Sequence, residues 1–269
     1  MPISTPTPSR TPSGQSSWDP AQYLRYGDER LRPALDLLAR IGQDAPSRVV
    51  DLGCGPGNVT TILRRRWPRA DILGIDGSAP LLERARRDAP DCRFAQADIA
   101  AWSPAAPLDI LYSNAALHWL GDHQTLFPRL FATLAPGGIM AVQMPLMHAA
   151  PIRALQHEIA ASGPWAEKLK TVGAAPPVLD PASYYDLLRP HAATLDVWET
   201  TYLHQLQGEN AAVQWAMGTS LRPFLDPLEE PERGAFLAAY TEAVRPHYPR
   251  RPDGTTLLPF RRLFLIATR

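Results

Sequence analysis

Apolar residues in the first half of the chain follow two alternating spacings. Short apolar runs of strand length, such as 48–53, are followed by stretches in which apolar residues recur every three or four positions, such as 58–67. The pattern predicts strands at 48–53, 71–76, 92–98, 108–115 and 137–144, and helices at 31–41, 58–67, 78–90 and 123–134. Strands that alternate with helices in this way indicate an open parallel sheet covered on both faces.

The spacing changes after Met147. A helical region extends to about residue 188, and long strands are predicted at 194–206 and 257–269, with helices at 211–221 and 231–244 between them. We expect the late strands to complete the sheet and the helices to form a cap. The predicted organisation is therefore a disordered tail at 1–17, an α/β core at 18–146, and the cap with the last strands at 147–269.

Composition and charge exclude several classes of partner. Lysine plus arginine and aspartate plus glutamate number 27 each, so no overall positive field exists to hold nucleic acid or an anionic membrane. No apolar stretch approaches the roughly 18 residues that a membrane span needs, and two cysteines are too few for a disulfide framework. We therefore expect a cytoplasmic protein, most simply a monomer. The tail lacks the apolar segment of a secretory signal, and its four prolines disfavour the alternative of a helical organellar presequence.

Motif spacing also argues against a metal site and against serine-hydrolase chemistry. Neither cysteine lies in C-x-x-C spacing, and the seven histidines form no H-x-x-x-H pair, so we expect no metal. The nucleophile motif G-x-S-x-G does not occur in the sequence.

The most informative segment is R-V-V-D-L-G-C-G-P-G-N, in which a predicted strand leads into Gly53, Gly55 and Gly57. Glycines let a backbone approach a ligand closely beside a helix N-terminus. A pyrophosphate loop would have G-x-G-x-x-G, but the third glycine position here is Asn58. Asp51 adds a negative charge that repels phosphate and attracts ammonium or sulfonium groups. The segment therefore favours a cationic cofactor.

This segment resembles motif I of the class I S-adenosylmethionine (SAM) methyltransferases, and the resemblance continues at 74–76, 97–99 and 134–138. It implies a Rossmann-like fold with a mostly parallel seven-stranded sheet, helices on both faces, and SAM as cofactor. It also implies that Asp76 binds the ribose hydroxyls, that Asp98 binds the adenine amino group with Ile99 packed on the ring, and that Asn114 contacts the methionine moiety. The alternatives are a helix cap for Asp76, a turn aspartate for Asp98 and a local Asx turn for Asn114.

A second set of segments resembles the trans-aconitate 2-methyltransferase family. These are W-D-P-x-x-Y-L-x-Y, S-N-A-A-L-H-W-L, T-T-Y-x-H-Q, L-R-P-F and F-x-R-L-F, spread from Trp18 to the end. The resemblance implies methylation of one carboxylate of a small tricarboxylate, giving a methyl ester. The sequence departs from the family in its tail and around 146–182, which leaves the identity of the acid open.

Carboxylate methylation needs no catalytic acid or base. A carboxylate with a pKa of about 4 is ionised at pH 7 and is already a nucleophile. What the reaction needs is orientation, a dry pocket and cations that hold the other carboxylates, so no catalytic residue is predicted. Arg222, Arg261 and Arg262 are the candidates, because guanidinium binds carboxylate through two parallel hydrogen bonds. Arg261 and Arg262 are adjacent on a strand and point to opposite faces, so at most one should reach the pocket.

Aromatic residues and histidines complete the predicted substrate site. Tyr202 and His204 share one face of a strand, and His118 and Trp119 follow the strand that faces the cofactor. Tyr26, with Trp18 and Tyr23, would form an aromatic lid over the sulfonium. The alternatives are packed sheet residues for Tyr202 and His204, a core position for Trp119, and a helix packed on the sheet for the lid.

Two other functions remain open from the sequence. A methyltransferase of the same fold that acts on a hydroxyl or amine would need a base, and His118 or His204 would then be critical. A non-catalytic protein would bind SAM without turnover of any acid.

Overall fold

The protein, here a computed structural model, is described for residues 31–172 and 178–269. In these residues the chain forms a seven-stranded sheet with strand order β3-β2-β1-β4-β5-β7-β6. The strands are β1 (Arg48–Leu52), β2 (Asp71–Asp76), β3 (Arg93–Gln96), β4 (Leu108–Asn114), β5 (Leu134–Pro145), β6 (Thr194–Gln207) and β7 (Thr255–Thr268).

Helices connect the strands on both faces. They are α1 (Arg32–Ala39), α2 (Asn58–Arg66), α3 (Ala79–Asp88), α4 (His123–Ala132), α5 (Pro151–Ser162), α6 (Ala166–Leu169), α7 (Pro181–Leu188), α8 (Ala211–Met217), α9 (Arg222–Leu225) and α10 (Glu232–Val244). Short 3₁₀ turns occur at Leu117–Trp119 and Arg245–His247. Among the described helices, none is both long and apolar enough to cross a membrane.

The first five strands pair in parallel, whereas β7 runs antiparallel to both β5 and β6. The central strands are buried on both faces, which explains why they appear in the sequence as continuous apolar runs rather than as alternating ones. The prediction of a Rossmann-like, mostly parallel seven-stranded sheet is confirmed. Because β1 to β5 are parallel, their carboxyl ends lie along one edge, and loops at that edge form the expected ligand site.

Three hydrophobic clusters hold the described chain together. One packs α1 and α2 on the sheet around Leu63 and Phe264, and a second packs α4 and α7 around Phe127 and Tyr184. The third lies mainly among α5, α8, α9 and α10, with Phe236 at 0% exposure. A separate core of this kind is what the predicted helical cap requires. The boundary at 146/147 stays a prediction, and the tail at 1–17 lies outside the described residues.

Candidate active site

A tight loop after β1 forms one side of the site. Gly53 and Gly57 have φ values of 79° and 82°, in the left-handed region that favours glycine. The N–H of Gly53 donates to the Ile75 carbonyl oxygen at 2.7 Å, which ties the loop to the end of β2. A Cβ atom on Gly53 would lie 2.1 Å from the Cβ of Ala116, in the segment after β4. Two chain segments therefore meet here without room for a side chain.

Asp51 precedes this loop on β1 and is 2% exposed. Its Oδ2 accepts a hydrogen bond from the Thr60 hydroxyl at 2.6 Å. Burial raises the pKa of the Asp51 carboxyl to about 7; the Thr60 hydrogen bond opposes this rise, and the charge of Asp76 adds to it. A nearby cation would favour the ionised form. The carboxyl is therefore suited to the predicted cationic cofactor, and its role there stays a prediction.

Asp76, at the end of β2, is fixed by two backbone amides. The N–H of Gly55 donates to its Oδ2 at 2.8 Å, and the N–H of Ser78 donates to its Oδ1 at 2.8 Å. The N-cap residue of α3 is Ser78, two residues after Asp76, so Asp76 does not itself occupy the helix-cap position of the alternative. Carboxylate oxygens accept more than one hydrogen bond each, so both retain capacity for the predicted ribose hydroxyls.

Asp98 and Ile99 lie in the loop after β3. Asp98 is exposed, and its Oδ1 accepts a hydrogen bond from the N–H of Ala100 at 2.9 Å. This contact fits the alternative in which Asp98 is a turn aspartate. Ile99 packs beside the glycine loop, since its Cδ1 lies 3.5 Å from where a Cβ of Gly53 would be. Arg129 of α4 holds this loop by donating to the carbonyl oxygens of Ile99 and Ala100 at 3.1 and 2.8 Å.

Polar side chains meet near the carboxyl ends of β4 and β5. Asn114 pairs with Gln143 in the parallel register, and Pro145 pairs with Arg262 of β7. At this end of the sheet, four buried atoms have no hydrogen-bond partner among the residues that the structure describes: Asn114 Oδ1, His118 Nδ1, Gln143 Nε2 and Arg262 Nε. Buried polar atoms are nearly always satisfied in folded proteins. These four residues, called the polar cluster below, therefore have bonding capacity that a ligand could use.

Arg262 supplies the charge of the polar cluster. It is 4% exposed, and its Nη1 donates to Gln143 Oε1 at 3.4 Å. Its guanidinium carbon lies 4.5 Å from the ring centroid of Phe260. Burial lowers the pKa of Arg262 to about 10, which leaves it cationic at pH 7. Within the described chain no aspartate or glutamate pairs with it, and an unpaired buried cation is costly, so the geometry suits an anionic ligand.

The two neighbouring arginine candidates lie in other surroundings. Arg261 is half exposed and pairs with Glu199 at 2.5 Å, so of the two adjacent arginines only Arg262 lies in the polar cluster. Arg222 is exposed at the first residue of α9, and no contact among residues 31–172 and 178–269 joins it to the cluster. Its predicted role in substrate binding stays a prediction.

Tyr202 and His204 lie on β6, next to β7. The Tyr202 hydroxyl donates to Asp36 Oδ2 at 2.7 Å, and its ring centroid lies 5.9 Å from the guanidinium carbon of Arg262. Burial and then the hydrogen bond to Asp36 raise the pKa of Tyr202. His204 is 2% exposed and stacks on Trp215 at 5.0 Å. Both positions fit the alternative of packed sheet residues, and their predicted contact with substrate stays a prediction.

His118 and Trp119 lie in the 3₁₀ turn after β4. Burial lowers the pKa of His118 to about 4, and the positive charges of Arg153 and Arg262 act in the same direction, so the imidazole is neutral at pH 7. Trp119 is 67% exposed, which rules out the alternative of a core position. Tyr26, like the rest of the predicted aromatic lid, lies outside the described residues.

Comparisons with known proteins identify the family. A family model described as a methyltransferase domain matches residues 23–191. The trans-aconitate 2-methyltransferase of Methylobacterium radiotolerans is 50% identical over 255 residues, which cover 94% of this chain and 98% of the relative. The protein of the same name from an Azoarcus species is 48% identical, with 94% and 99% covered. The chain belongs to the trans-aconitate 2-methyltransferase family.

A solved structure supports the fold. It is a Mesorhizobium loti protein described as an S-adenosylmethionine dependent methyltransferase, 22% identical, with a TM-score of 0.50 over 89% of this chain and 98% of that chain. With the family membership, the predictions of a methyltransferase fold, of an enzyme and of SAM as cofactor are confirmed.

Several residues near the site have little or no recognisable signal in the sequence. Gln143 carries a weak signal, because it is a polar residue within the apolar strand I-M-A-V-Q-M. Arg129 and Arg153 carry none, since they lie outside every recognised motif. Arg129 bonds to Ile99, 30 residues away, and Gln156, which holds Arg153, is itself fixed by Ser220 and Tyr240, 64 and 84 residues away.

Proposed function

We propose that this protein transfers a methyl group from SAM to one carboxylate of trans-aconitate, giving the monomethyl ester and S-adenosylhomocysteine. The names of relatives about half identical over nearly the whole chain support this acceptor. The observation that carries it is the buried Arg262, a cation held by an amide and an aromatic ring with no acidic partner in the described chain.

The cofactor side is served by residues of β1, β2 and the loops after them. SAM, when bound, supplies a methyl group activated by the sulfonium charge. In this proposal Asp51 and the loop of Gly53, Gly55 and Gly57 bind its amino-acid end, and Asp76 binds the ribose. Asp98 and Ile99 bind the adenine, and Asn114 contacts the methionine moiety. The fit to a cation rests on Asp51, since binding there would relieve the burial of its negative charge.

The acceptor side orients an anion. Arg262 would hold a carboxylate that does not react, through the two-pronged contact that guanidinium makes with carboxylate. Nearby, the Gln143 side chain has an unpaired amide donor, Nε2, and the Asn114 side chain has an unpaired carbonyl oxygen, Oδ1. The reacting carboxylate is ionised at pH 7, so no residue has to remove a proton. His118 is neutral and its pKa is low, so it can form hydrogen bonds in the site but is not an efficient general base.

The remaining parts of the proposal concern the cellular setting. We propose a cytoplasmic monomer whose only partner class is a small polycarboxylate, without nucleic acid. Equal numbers of acidic and basic residues support the absence of a nucleic-acid surface, since there is no excess positive charge.

The test is release of S-adenosylhomocysteine by the purified full chain with trans-aconitate, cis-aconitate, citrate or isocitrate as acceptor, followed by mass analysis. We expect turnover on trans-aconitate and a product that gains one methyl group and is labile to mild base, as an ester is. Turnover only on a hydroxyl or amine would contradict the carboxylate acceptor. SAM binding by calorimetry without turnover of any acceptor would instead indicate a non-catalytic SAM-binding protein.

A further inference from the structure

A second arginine without an acidic partner among the described residues lies in the cap, in the helix that follows β5. Arg153 lies in the first turn of α5, and its N–H donates to the Ala150 carbonyl oxygen at 2.8 Å. The connection from β5, which ends at Pro145 opposite Arg262, to this helix is compact: the N–H of Leu146 donates to the Arg261 carbonyl oxygen at 2.9 Å, and the N–H of Ala150 donates to the Met147 carbonyl oxygen at 2.9 Å. Arg153 is half-buried, and no aspartate or glutamate pairs with it in the part of the chain that the structure describes. Its guanidinium is thus a second desolvated cation near the same end of the sheet.

The side chain of Arg153 is held in place by a buried amide. Gln156 is 0% exposed, and its Oε1 accepts a hydrogen bond from Arg153 Nη1 at 3.1 Å. Its Nε2 donates to Ser220 Oγ at 2.8 Å and to the Tyr240 hydroxyl at 3.4 Å. Because the Tyr240 hydroxyl donates its own hydrogen to the Ile152 carbonyl oxygen at 2.6 Å, it accepts from Gln156. The amide orientation is therefore fixed, with its oxygen toward Arg153.

The backbone that carries Arg153 is also anchored to the cap. The Tyr248 hydroxyl accepts a hydrogen bond from the N–H of Ile152 at 3.2 Å, while Tyr240 binds the carbonyl oxygen of the same residue. Both tyrosines are buried in the cap core. The first turn of α5 is consequently fixed on two sides, so the position of Arg153 is set before any ligand binds.

The charges of Arg153 and Arg262 act on the same imidazole. Both lower the pKa of His118, in addition to the larger effect of its burial. Arg262 comes from the last strand, whereas Arg153 comes from the first turn of α5, so the two charges belong to different elements. Like charges that are shielded from water repel each other, and one carboxylate on each would relieve the repulsion.

We propose that Arg153 binds a second carboxylate of the acceptor, distinct from the one that Arg262 holds, and so selects tricarboxylates over dicarboxylates. In this arrangement Gln156 is a positioning residue, because it acts through Arg153 and does not touch the acceptor. The inference rests on the proposed function, since it assigns the carboxylates of the proposed acceptor to separate cations.

The experiment crosses protein variants with acceptors that lack one carboxylate each. Removing each carboxylate of trans-aconitate in turn gives mesaconate, glutaconate and itaconate. We would measure kcat/KM for all four acids by S-adenosylhomocysteine release with the full chain and with Arg153→Gln. Arg245→Gln is the matched control, because Arg245 is an exposed cap arginine paired with Glu242. SAM affinity by calorimetry checks that each variant remains folded.

We expect Arg153→Gln to lower kcat/KM for trans-aconitate about 10- to 100-fold, the value of a hydrogen bond to a charged group. For one of the three dicarboxylates, the one that lacks the carboxylate on Arg153, the loss should be less than about 3-fold. SAM affinity should not change. Equal losses with every acid that the wild-type protein methylates, or no loss with any, would overturn the proposal.

Binding separates this inference from the proposed function. If the wild-type protein turns over none of the acids yet trans-aconitate binds its S-adenosylhomocysteine complex, the proposed reaction fails. A dependence of that binding on Arg153 would then still support the second anion site. Absence of both turnover and binding would overturn both.

The variant Gln156→Glu tests the positioning role. It keeps the shape of the side chain but places a carboxylate next to Arg153, where it would compete with the acceptor for the guanidinium. We expect KM for trans-aconitate to rise about 10-fold or more while kcat and SAM affinity change little. A merely structural role of Gln156 would weaken the binding of SAM and acceptor alike.

Discussion

The two sides of the site are built in different ways. On the cofactor side, the glycine loop and the ends of β1 and β2 satisfy one another: Asp76 accepts from two backbone amides, and Asp51 accepts from Thr60. On the acceptor side, the polar cluster includes buried atoms left without partners among the described residues. The first side is thus preorganised by backbone geometry, whereas the second keeps its bonding capacity for a ligand.

This difference determines what a substitution should do on each side. A change in the glycine loop disturbs contacts that already exist, so it should affect both stability and SAM binding. A change in the polar cluster removes a contact that forms only with the acceptor, so it should affect turnover and leave the free protein as stable or more stable. Catalytic sites often hold groups in arrangements that are unfavourable for folding.

The largest effect is expected for Gly53→Ala. The new methyl group would meet Ala116 Cβ at 2.1 Å at a residue with φ of 79°, and we expect the free energy of unfolding to fall by about 3 to 5 kcal/mol. Gly55→Ala is the matched comparison, because Gly55 also has a positive φ but no atom within 4 Å of its Cβ position. There we expect a loss of about 1 to 2 kcal/mol. Urea denaturation measures both, and equal losses would show that the close contact contributes nothing.

Arg262→Met should lower turnover without lowering stability. The loss of its charged contact should lower kcat/KM for trans-aconitate. The expected loss of transition-state stabilisation is about 1.5 to 3 kcal/mol. The free protein should be no less stable, because burial disfavours the charged form of Arg262 and methionine removes that charge. Arg261→Met, next to it in an exposed ion pair, should leave turnover unchanged within about 2-fold. A destabilised Arg262→Met protein with normal turnover would mean that the cation is structural.

The sequence predicts the cofactor side better than the acceptor side, for a physical reason. Asp51, the three glycines and Asp76 lie within 26 residues, and their roles depend on backbone turns that local sequence specifies. The choice between Arg261 and Arg262 could not be made from sequence, because strand alternation shows that they differ but not which face is buried. Arg153 could not be found at all, since its position depends on Gln156, Ser220 and Tyr240, which only the folded cap brings together.

Asp51 gives a smaller and pH-dependent effect. With its pKa raised to about 7, part of the Asp51 population is protonated near pH 7, and a bound cation should drive that proton off. Wild type should therefore release more protons per SAM at pH 7 than Asp51→Asn, and the difference should grow at pH 6. Calorimetry in buffers of different ionisation enthalpy measures the difference. Identical proton counts would mean that Asp51 does not interact with the cofactor charge.

The same shift sets the sign of the stability effect of Asp51. Because the folded-state pKa is above the ordinary value of 3.8, the folded chain holds a proton that the unfolded chain has lost between these two values. The contribution of Asp51 to the free energy of unfolding should fall as pH rises from about 4 to about 7, and Asp51→Asn should remove that slope.

The smallest effect is expected for His118→Asn, and it tests whether the acceptor side only binds and orients. A general base typically contributes about 100- to 10,000-fold to a rate, so its removal should be unmistakable. An ionised carboxylate needs no base, and burial together with the charges of Arg153 and Arg262 keeps His118 a poor one. We therefore expect kcat with trans-aconitate at pH 7.5, with both substrates saturating, to fall less than about 10-fold. His157→Asn, at an exposed position on α5, is the matched control. A loss above about 100-fold in His118→Asn alone would indicate proton removal by His118, and hence an acceptor that must lose a proton to react.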